Sequence, residues 1–271
     1  MNDSGAGSAH QFILVNRAAG ACEITLNRPD RMNAMNAEMA AEILDVLAQV
    51  EAERATIAVI FAGNERAFCA GADLGRMSDK PEDKFDVYRA RYNQQPNRKL
   101  FRALNSFTKP VISAVEGYCL GGGLELALFG DMIVAGDAAQ FGLPEARHGL
   151  IPGAGGTQNL PRLIGKALAK EMMWTARRIS AHEAKEFRLV NHVVPKGKAL
   201  EKAREIVASM AKNGPLSLMM IKQAVDRGLD MPLMTGFLQE ADLAYMLAFS
   251  EDRTEGLKAF AEKRDPKFKG Q

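Results

Sequence analysis

Short apolar runs alternate with amphipathic stretches along the first half of the chain. Residues 12–16 and 22–26 flank Ala18-Ala19-Gly20, the pattern of a β-hairpin. Leu26-Asn27-Arg28-Pro29-Asp30 then breaks regular structure. From Asn36, whose side chain suits a helix N-cap, Met39, Ile43, Val46, Leu47 and Val50 fall on one helical face. A buried strand over residues 57–61 follows, and strand–helix–strand order predicts a parallel sheet with a helix crossing over it. Residues 64–77 read as a loop rich in Ala and Gly. Residues 79–97 are charged and polar, with Tyr88 and Tyr92 at helical spacing, and read as a mobile, lid-like segment. Residues 100–107 predict a helix that Lys109-Pro110 ends.

The stretch from Val111 to Leu126 organises the rest. A β-branched run over residues 111–115 reads as a buried strand, and Gly121, Gly122 and Gly123 then open an apolar helix that contains one carboxylate, Glu125. Residues 133–135 and 139–142 supply further short strands, and residues 143–156 form a long glycine-bearing loop. The second half is mainly helical. Ser180 with Glu183 makes a capping box, Pro215 suits the first turn of a helix through Arg227, and Asp252 with Glu255 marks the start of a last helix ending near Arg264. No internal repeat or linker divides the chain into independent domains. The pattern gives a polar N-terminal lead over residues 1–10, an α/β core over 11–198 and a helical C-terminal region over 199–271.

Composition narrows the classes. With 47% hydrophobic and 25% charged residues among 271, the chain has the make-up of a soluble globular protein with a sizeable core. A formal net charge of +2 argues against a nucleic-acid binder driven by bulk charge. Cys22, Cys69 and Cys119 follow no metal or redox spacing and point to a reducing compartment. The N-terminus lacks the apolar core of a signal peptide, and no window reaches the roughly 18 apolar residues of a membrane helix. The expected location is cytoplasmic.

Three loops can carry chemistry. Arg66-Ala67-Phe68-Cys69-Ala70-Gly71-Ala72-Asp73-Leu74 follows a strand, and its small residues let a ligand lie against the backbone, where Ala72 or a neighbour offers an N–H. The glycines before Glu125 sit at a helix N-terminus, which favours negative charge. Phe141-Gly142-Leu143-Pro144-Glu145 aims a carboxylate rigidly after a proline, and leads to Ile151-Pro152-Gly153-Ala154-Gly155-Gly156-Thr157. Each has a plainer alternative: a bare strand–helix connection, a solvated Glu125, a Glu145 that only favours a helix start. His148 lies near Glu145, as a lining residue or a solvated one. There is no Gly-x-Ser-x-Gly elbow and no P-loop ending, and His182-Glu183 lacks the second histidine of a zinc helix. With His10, His148, His182 and His192 scattered, metal-free acid/base work by carboxylates remains.

Taken together, these motifs resemble the enoyl-CoA hydratase (crotonase) family. The likeness rests on Leu26-Asn27-Arg28-Pro29 with Asn33-Ala34-Met35, on the Ala67 to Leu74 loop, on Lys109 through Leu126, and on Phe141 to Gly156. It continues through Arg178-Ile179-Ser180-Ala181, Leu189-Val190, Glu255-Gly256, Phe260 and Pro266-Lys267-Phe268. The resemblance implies an α/β fold of repeated ββα units in a spiral core, with a helical C-terminal part that makes trimers or dimers of trimers. It implies an oxyanion hole from the N–H groups of Ala72 and Gly122, a water-activating Glu125, and a Glu145 that exchanges a proton beside the thioester. Having both glutamates favours hydration of a 2-enoyl-CoA over isomerisation.

The same resemblance places CoA along Arg28, Ala70, Gly71, Asp73, Leu74, Gly121 and Gly153, with Phe260 and Lys263 reaching it in a neighbouring subunit. It implies no metal and no cofactor beyond the CoA of the substrate, and neither nucleic acid nor membrane as partner. Two departures stand out. Gly75 takes the place of a lysine common in the family, with Arg76 next to it as a replacement for the phosphate contact. Phe187-Arg188 stands where many members have a small residue or glycine, and bears on the acyl pocket or on helix packing.

Overall fold

The computed structural model describes residues 10–73, 75 and 96–271. The N-terminal lead, Leu74, Arg76 and nearly all of the expected lid-like segment lie outside these residues.

Strands β1 (Ile13–Ala18) and β2 (Ala21–Leu26) form the expected antiparallel hairpin around Ala19-Gly20. Helix α1 (Ala37–Ala52) starts where the sequence predicts. The Asn36 side chain accepts from Met39 N at 2.9 Å, and the six-residue face from Met39 to Val50, with Ala40, is buried. Lys109 closes its other end, its ammonium donating to the carbonyls of Val50, Glu53 and Thr56.

From here the strands come in pairs. Strand β3 (Ala58–Ala62) is followed by β4 (Ala67–Cys69), β5 (Val111–Val115) by β6 (Tyr118–Leu120), and β7 (Met132–Gly136) by β8 (Gln140–Gly142). The first of each pair joins a six-stranded sheet of order β1-β2-β3-β5-β7-β10, where β10 is His192–Val194. The second joins a four-stranded sheet of order β4-β6-β8-β9, where β9 is Ile179–Ser180. Helices α2 (Pro96–Asn105), α3 (Gly122–Ala127) and α4 (Gly156–Ile164) follow the successive pairs. This is the repeated ββα spiral of the crotonase fold.

The large sheet is covered on both faces, which explains why β3 and β5 are apolar at every position but Ser113. One face meets α1 and the main core; the other meets α7 (Ala199–Met210) through Ala199, Ala203 and Val207. Two polar ties fix α7: Arg204 pairs with the buried Glu23 of β2, and Glu116, in the turn after β5, accepts from Ala199 N at 3.0 Å. The remaining helices are α5 (Lys166–Thr175), α6 (Ala181–Glu186), α8 (Pro215–Gly228), α9 (Leu233–Ala248) and α10 (Glu251–Glu262). No helix among the described residues is long and apolar enough to cross a membrane.

Several expectations need correction. The 64–77 loop contains β4, and the step from Val115 to Gly121 contains β6; three-residue strands are too short to show a period of two. Helix α2 already includes Pro96 to Lys99, ahead of the predicted residue 100. The 143–156 loop includes a 3₁₀ turn over Glu145–His148. The last helix is capped by Ser250, whose hydroxyl accepts from Arg253 N at 3.0 Å. Asp252 is instead buried, taking the backbone N–H groups of Lys269 and Gly270 and so fastening the C-terminal tail. The capping box of Ser180 and Glu183 is as predicted. Phe187 packs against the main core, and Arg188 has φ +64°, in the left-handed region that favours glycine.

Two substitutions separate the forces holding α1. Ile43→Ala, at a fully buried position, is expected to cost about 2–5 kcal/mol, and Asn36→Ala, which removes the cap, about 1 kcal/mol. Urea unfolding of both variants measures this; equal costs would mean that α1 is not held mainly by its apolar face.

Candidate active site

Strands β4, β6 and β8 run parallel, so their C-terminal ends lie on one edge of the small sheet. The three loops singled out from the sequence leave from these ends: Ala70-Gly71-Ala72-Asp73 after β4, Gly121-Gly122 after β6, and Leu143-Pro144-Glu145 after β8. Parallel sheets collect ligands beyond their carboxyl ends for this reason.

The first two loops touch backbone to backbone. A Cβ placed on Gly122 would lie 3.4 Å from Ala72 N, and one on Gly123 would fall 2.2 Å from Cys69 O, so no side chain fits where α3 starts against β4. Gly121 turns the chain from β6 into α3 with φ +53° and ψ −129°, a conformation other residues avoid, and its open side faces a Glu145 carboxylate oxygen.

The donors of Ala72 and Gly122 are free for chemistry. Met35 N donates to Gly71 O and Asp73 N donates to Met35 O, a parallel bridge in which Ala72 itself is skipped. Gly122 N opens α3, where the first amides have no partner within the helix. Among the described residues neither N–H has a backbone acceptor. Ala72 is exposed at this edge, so a ligand carbonyl can reach it.

Glu125 is 4% exposed. Its Oε1 accepts from Ala154 N at 2.7 Å and Gly156 N at 2.9 Å, at the start of α4. Burial raises its pKa, and the two N–H groups oppose that rise by holding the charged form. Glu145 is treated differently. Its buried Oε2 has no hydrogen-bond partner among the described residues. Burial first, and then the charge of Glu125, push its pKa up to about 7. The charged form of Glu125 thus has two backbone donors to oppose its burial, while Glu145 keeps its proton up to about pH 7.

The structure therefore brings together Ala72, Gly122, Gly121, Glu125 and Glu145. Arg28 reaches the same region from the other side: its guanidinium pairs with Asp73 at 2.9 Å and donates to Ala34 O. Ala70 N donates to Met32 O, and Gly71 and Asp73 form the bridge to Met35. Gly153 precedes the two donors to Glu125 without contacting its carboxylate, and Leu74 lies outside the described residues. His148 is exposed. Phe260, 85% exposed, lies on α10, and Lys263 follows its last residue. Sequence reading assigned no role to Ala154 and Gly156; the Gly155-Gly156 pair at the start of α4 was the available signal. Among the described residues no group of His, Cys, Asp and Glu is placed to hold a metal ion.

Residues 16–271 match the family model described as enoyl-CoA hydratase/isomerase. The 2,3-dehydroadipyl-CoA hydratase of Escherichia coli is 40% identical over 258 residues, 95% of this chain and 98% of that protein. The human mitochondrial enoyl-CoA hydratase domain-containing protein 2 is 40% identical over 256 residues, 93% of this chain and 86% of that protein. A crystal structure of an enoyl-CoA hydratase from Bacillus anthracis superposes with a TM-score of 0.88 at 41% identity, covering 96% of this chain and all of that one. The chain belongs to the enoyl-CoA hydratase/isomerase family.

Proposed function

We propose that this protein is an enoyl-CoA hydratase, adding water across the double bond of a 2-trans-enoyl-CoA to give a 3-hydroxyacyl-CoA. The observation that carries the reading is the pair of unlike carboxylates beside two free backbone donors. The thioester oxygen accepts from Ala72 N–H and Gly122 N–H, and negative charge grows there as the double bond is attacked. Preorganised donors lower such a barrier by roughly 3 kcal/mol each. Glu125, held as the anion, takes one proton from water while the hydroxide oxygen bonds to C3. Glu145, protonated near neutrality, gives its proton to C2. Water has then supplied both new groups, and the proton left on Glu125 restores Glu145 through solvent. An isomerase needs only one such group, so retention of both favours hydration.

The sequence relatives, including the Escherichia coli 2,3-dehydroadipyl-CoA hydratase, support this class of reaction. In this reading the CoA lies along Arg28 and the 70–74 backbone, and the protein works in the cytoplasm. It is also a homo-oligomer, a trimer or dimer of trimers. Its supporting observation is the apolar surface of α8 and α9, where Ile221, Val225, Leu233, Phe237 and Leu238 are all more than half exposed. Phe260 on α10 and Lys263 just after it then approach the CoA of a neighbouring subunit.

Glu125→Gln keeps an acceptor for Ala154 N and Gly156 N, so it is expected to fold while losing hydration of crotonyl-CoA by roughly 10²–10⁴-fold. Wild-type rates in both this variant and Glu145→Gln, followed by enoyl-thioester absorbance, would refute the reading. A panel of straight-chain, 3-enoyl and ring-bearing thioesters separates hydration from isomerisation.

The sign of the pH effect follows from the direction of the Glu145 shift. Its folded pKa lies above the ordinary 4.5, so its contribution to stability is intact below 4.5 and is lost as pH rises through about 7. Glu145→Gln is therefore expected to match wild type near pH 4 and to melt higher near pH 8, by about 2–4 °C for each kcal/mol relieved. In wild type, kcat/KM should fall as pH rises through about 7, and Glu145→Gln should lack that limb. A mass in solution of one chain would contradict the oligomer, and Phe237→Asp is expected to shift the protein toward monomer.

A further inference from the structure

Ala72 can act as a donor beside Gly122 only if its N–H is unpaired and turned away from the neighbouring turn, and the structure shows how that is arranged. The turn from Arg28 to Met35 runs beside the chain from Ala67 to Asp73 and is bonded to it at nearly every step. Asn33 Nδ2 donates to Ala67 O at 2.9 Å and to Phe68 O at 3.2 Å. Ala70 N donates to Met32 O at 3.0 Å, Met35 N to Gly71 O at 2.8 Å, and Asp73 N to Met35 O at 3.0 Å. In extended chain, neighbouring residues present their backbone groups to opposite sides. Because Gly71 O and Asp73 N are spent on Met35, the N–H of Ala72 faces the other way.

Within this strip one side chain sets the register. Asn33 is fully buried, at 0% exposure, and has φ +55°, a left-handed conformation that asparagine tolerates better than most residues. Its Oδ1 accepts from Arg28 N at 2.8 Å, while its own N–H donates to Arg28 O at 2.9 Å. The amide thus joins its own turn to the first two residues of β4. We propose that Asn33 is a positioning residue for the oxyanion hole: it holds the Arg28–Met35 turn in the register that leaves Ala72 N–H free and aimed at the thioester oxygen. The inference rests on the hydratase reading through the oxyanion role of Ala72.

Asn33→Gly tests it, since glycine accepts the left-handed backbone and removes only the amide. The readout is the infrared carbonyl stretch of ¹³C-labelled butyryl-CoA, a saturated thioester that binds without reacting. Wild-type protein is expected to lower that frequency by polarising the carbonyl. Asn33→Gly is expected to lose most of the shift and roughly tenfold to a hundredfold in kcat on crotonyl-CoA, with KM nearly unchanged. Asn33→Asp gives a second arm. Protonated at about pH 5, its O–H replaces the lost donor; ionised at about pH 8, it faces two carbonyl oxygens. Compared with wild type at the same pH, its carbonyl shift should be preserved at the lower pH and reduced at the higher.

A folded Asn33→Gly with the full wild-type shift and kcat would overturn the proposal, as would an Asn33→Asp whose shift ignores pH. A wild-type protein that shifts the carbonyl but hydrates no enoyl-CoA would remove the hydratase reading alone, and the comparison of shifts would still decide the role of Asn33.

Discussion

Two stretches of main chain, Gly71-Ala72 and Gly121-Gly122, have to run in van der Waals contact, and much of the structure follows from that constraint. No side chain fits between them, which is why Gly123 lies against the Cys69 carbonyl and why Gly121 turns with a positive φ. Contact between backbones also decides what the site can do. Amides left over at a strand end and at a helix start point into one space, and they cannot rotate away or be replaced by a side chain. An anionic oxygen placed there meets donors whose orientation was fixed when the protein folded.

The fold supplies that contact through its repeat. Each ββα unit sends its first strand into the large sheet and its second into the small one, so the ends of β4, β6 and β8 are stacked on a single edge. The large sheet is buried on both faces by α1 and α7 and carries most of the apolar packing. The small sheet carries the candidate site. The two glutamates come from different units and different environments, which is what drives them apart. Glu125 sits against the first amides of α4, and Glu145 sits in a buried space with one oxygen unpartnered. One carboxylate thereby has donors that favour its charged form, and the other is left to burial and a neighbouring charge.

Much of this was legible in the sequence, though unevenly. The α1 face, the Asn36 cap, the capping box at Ser180 and the first hairpin follow from local rules: periodicity, side-chain caps and turn residues. The short strands β4 and β6 were not legible, because three residues give no periodicity and their pairing is set by partners far along the chain. The roles of Ala72 and Gly122 came only from the family resemblance, since an N–H has no sequence signature; the geometry brings the two together. Asp252 lies in the first turn of the last helix, as read, but its carboxylate also holds the tail 17 residues on, and nothing local signals that long-range bond. What carries the chemistry is long-range, and what carries the elements is mostly local.

The central claim is that the two carboxylates have been driven apart in acidity by their surroundings. An infrared titration of the ligand-free protein tests it most directly, following the C=O stretch of a protonated carboxyl. The account predicts a band that persists well above the ordinary glutamate range and disappears at about pH 7. That band should be absent from Glu145→Gln. It should remain in Glu125→Gln with a lower midpoint, because the neighbouring charge has been removed. A protein whose carboxyls are all ionised by about pH 5, or a band near pH 7 that survives in Glu145→Gln, would contradict it.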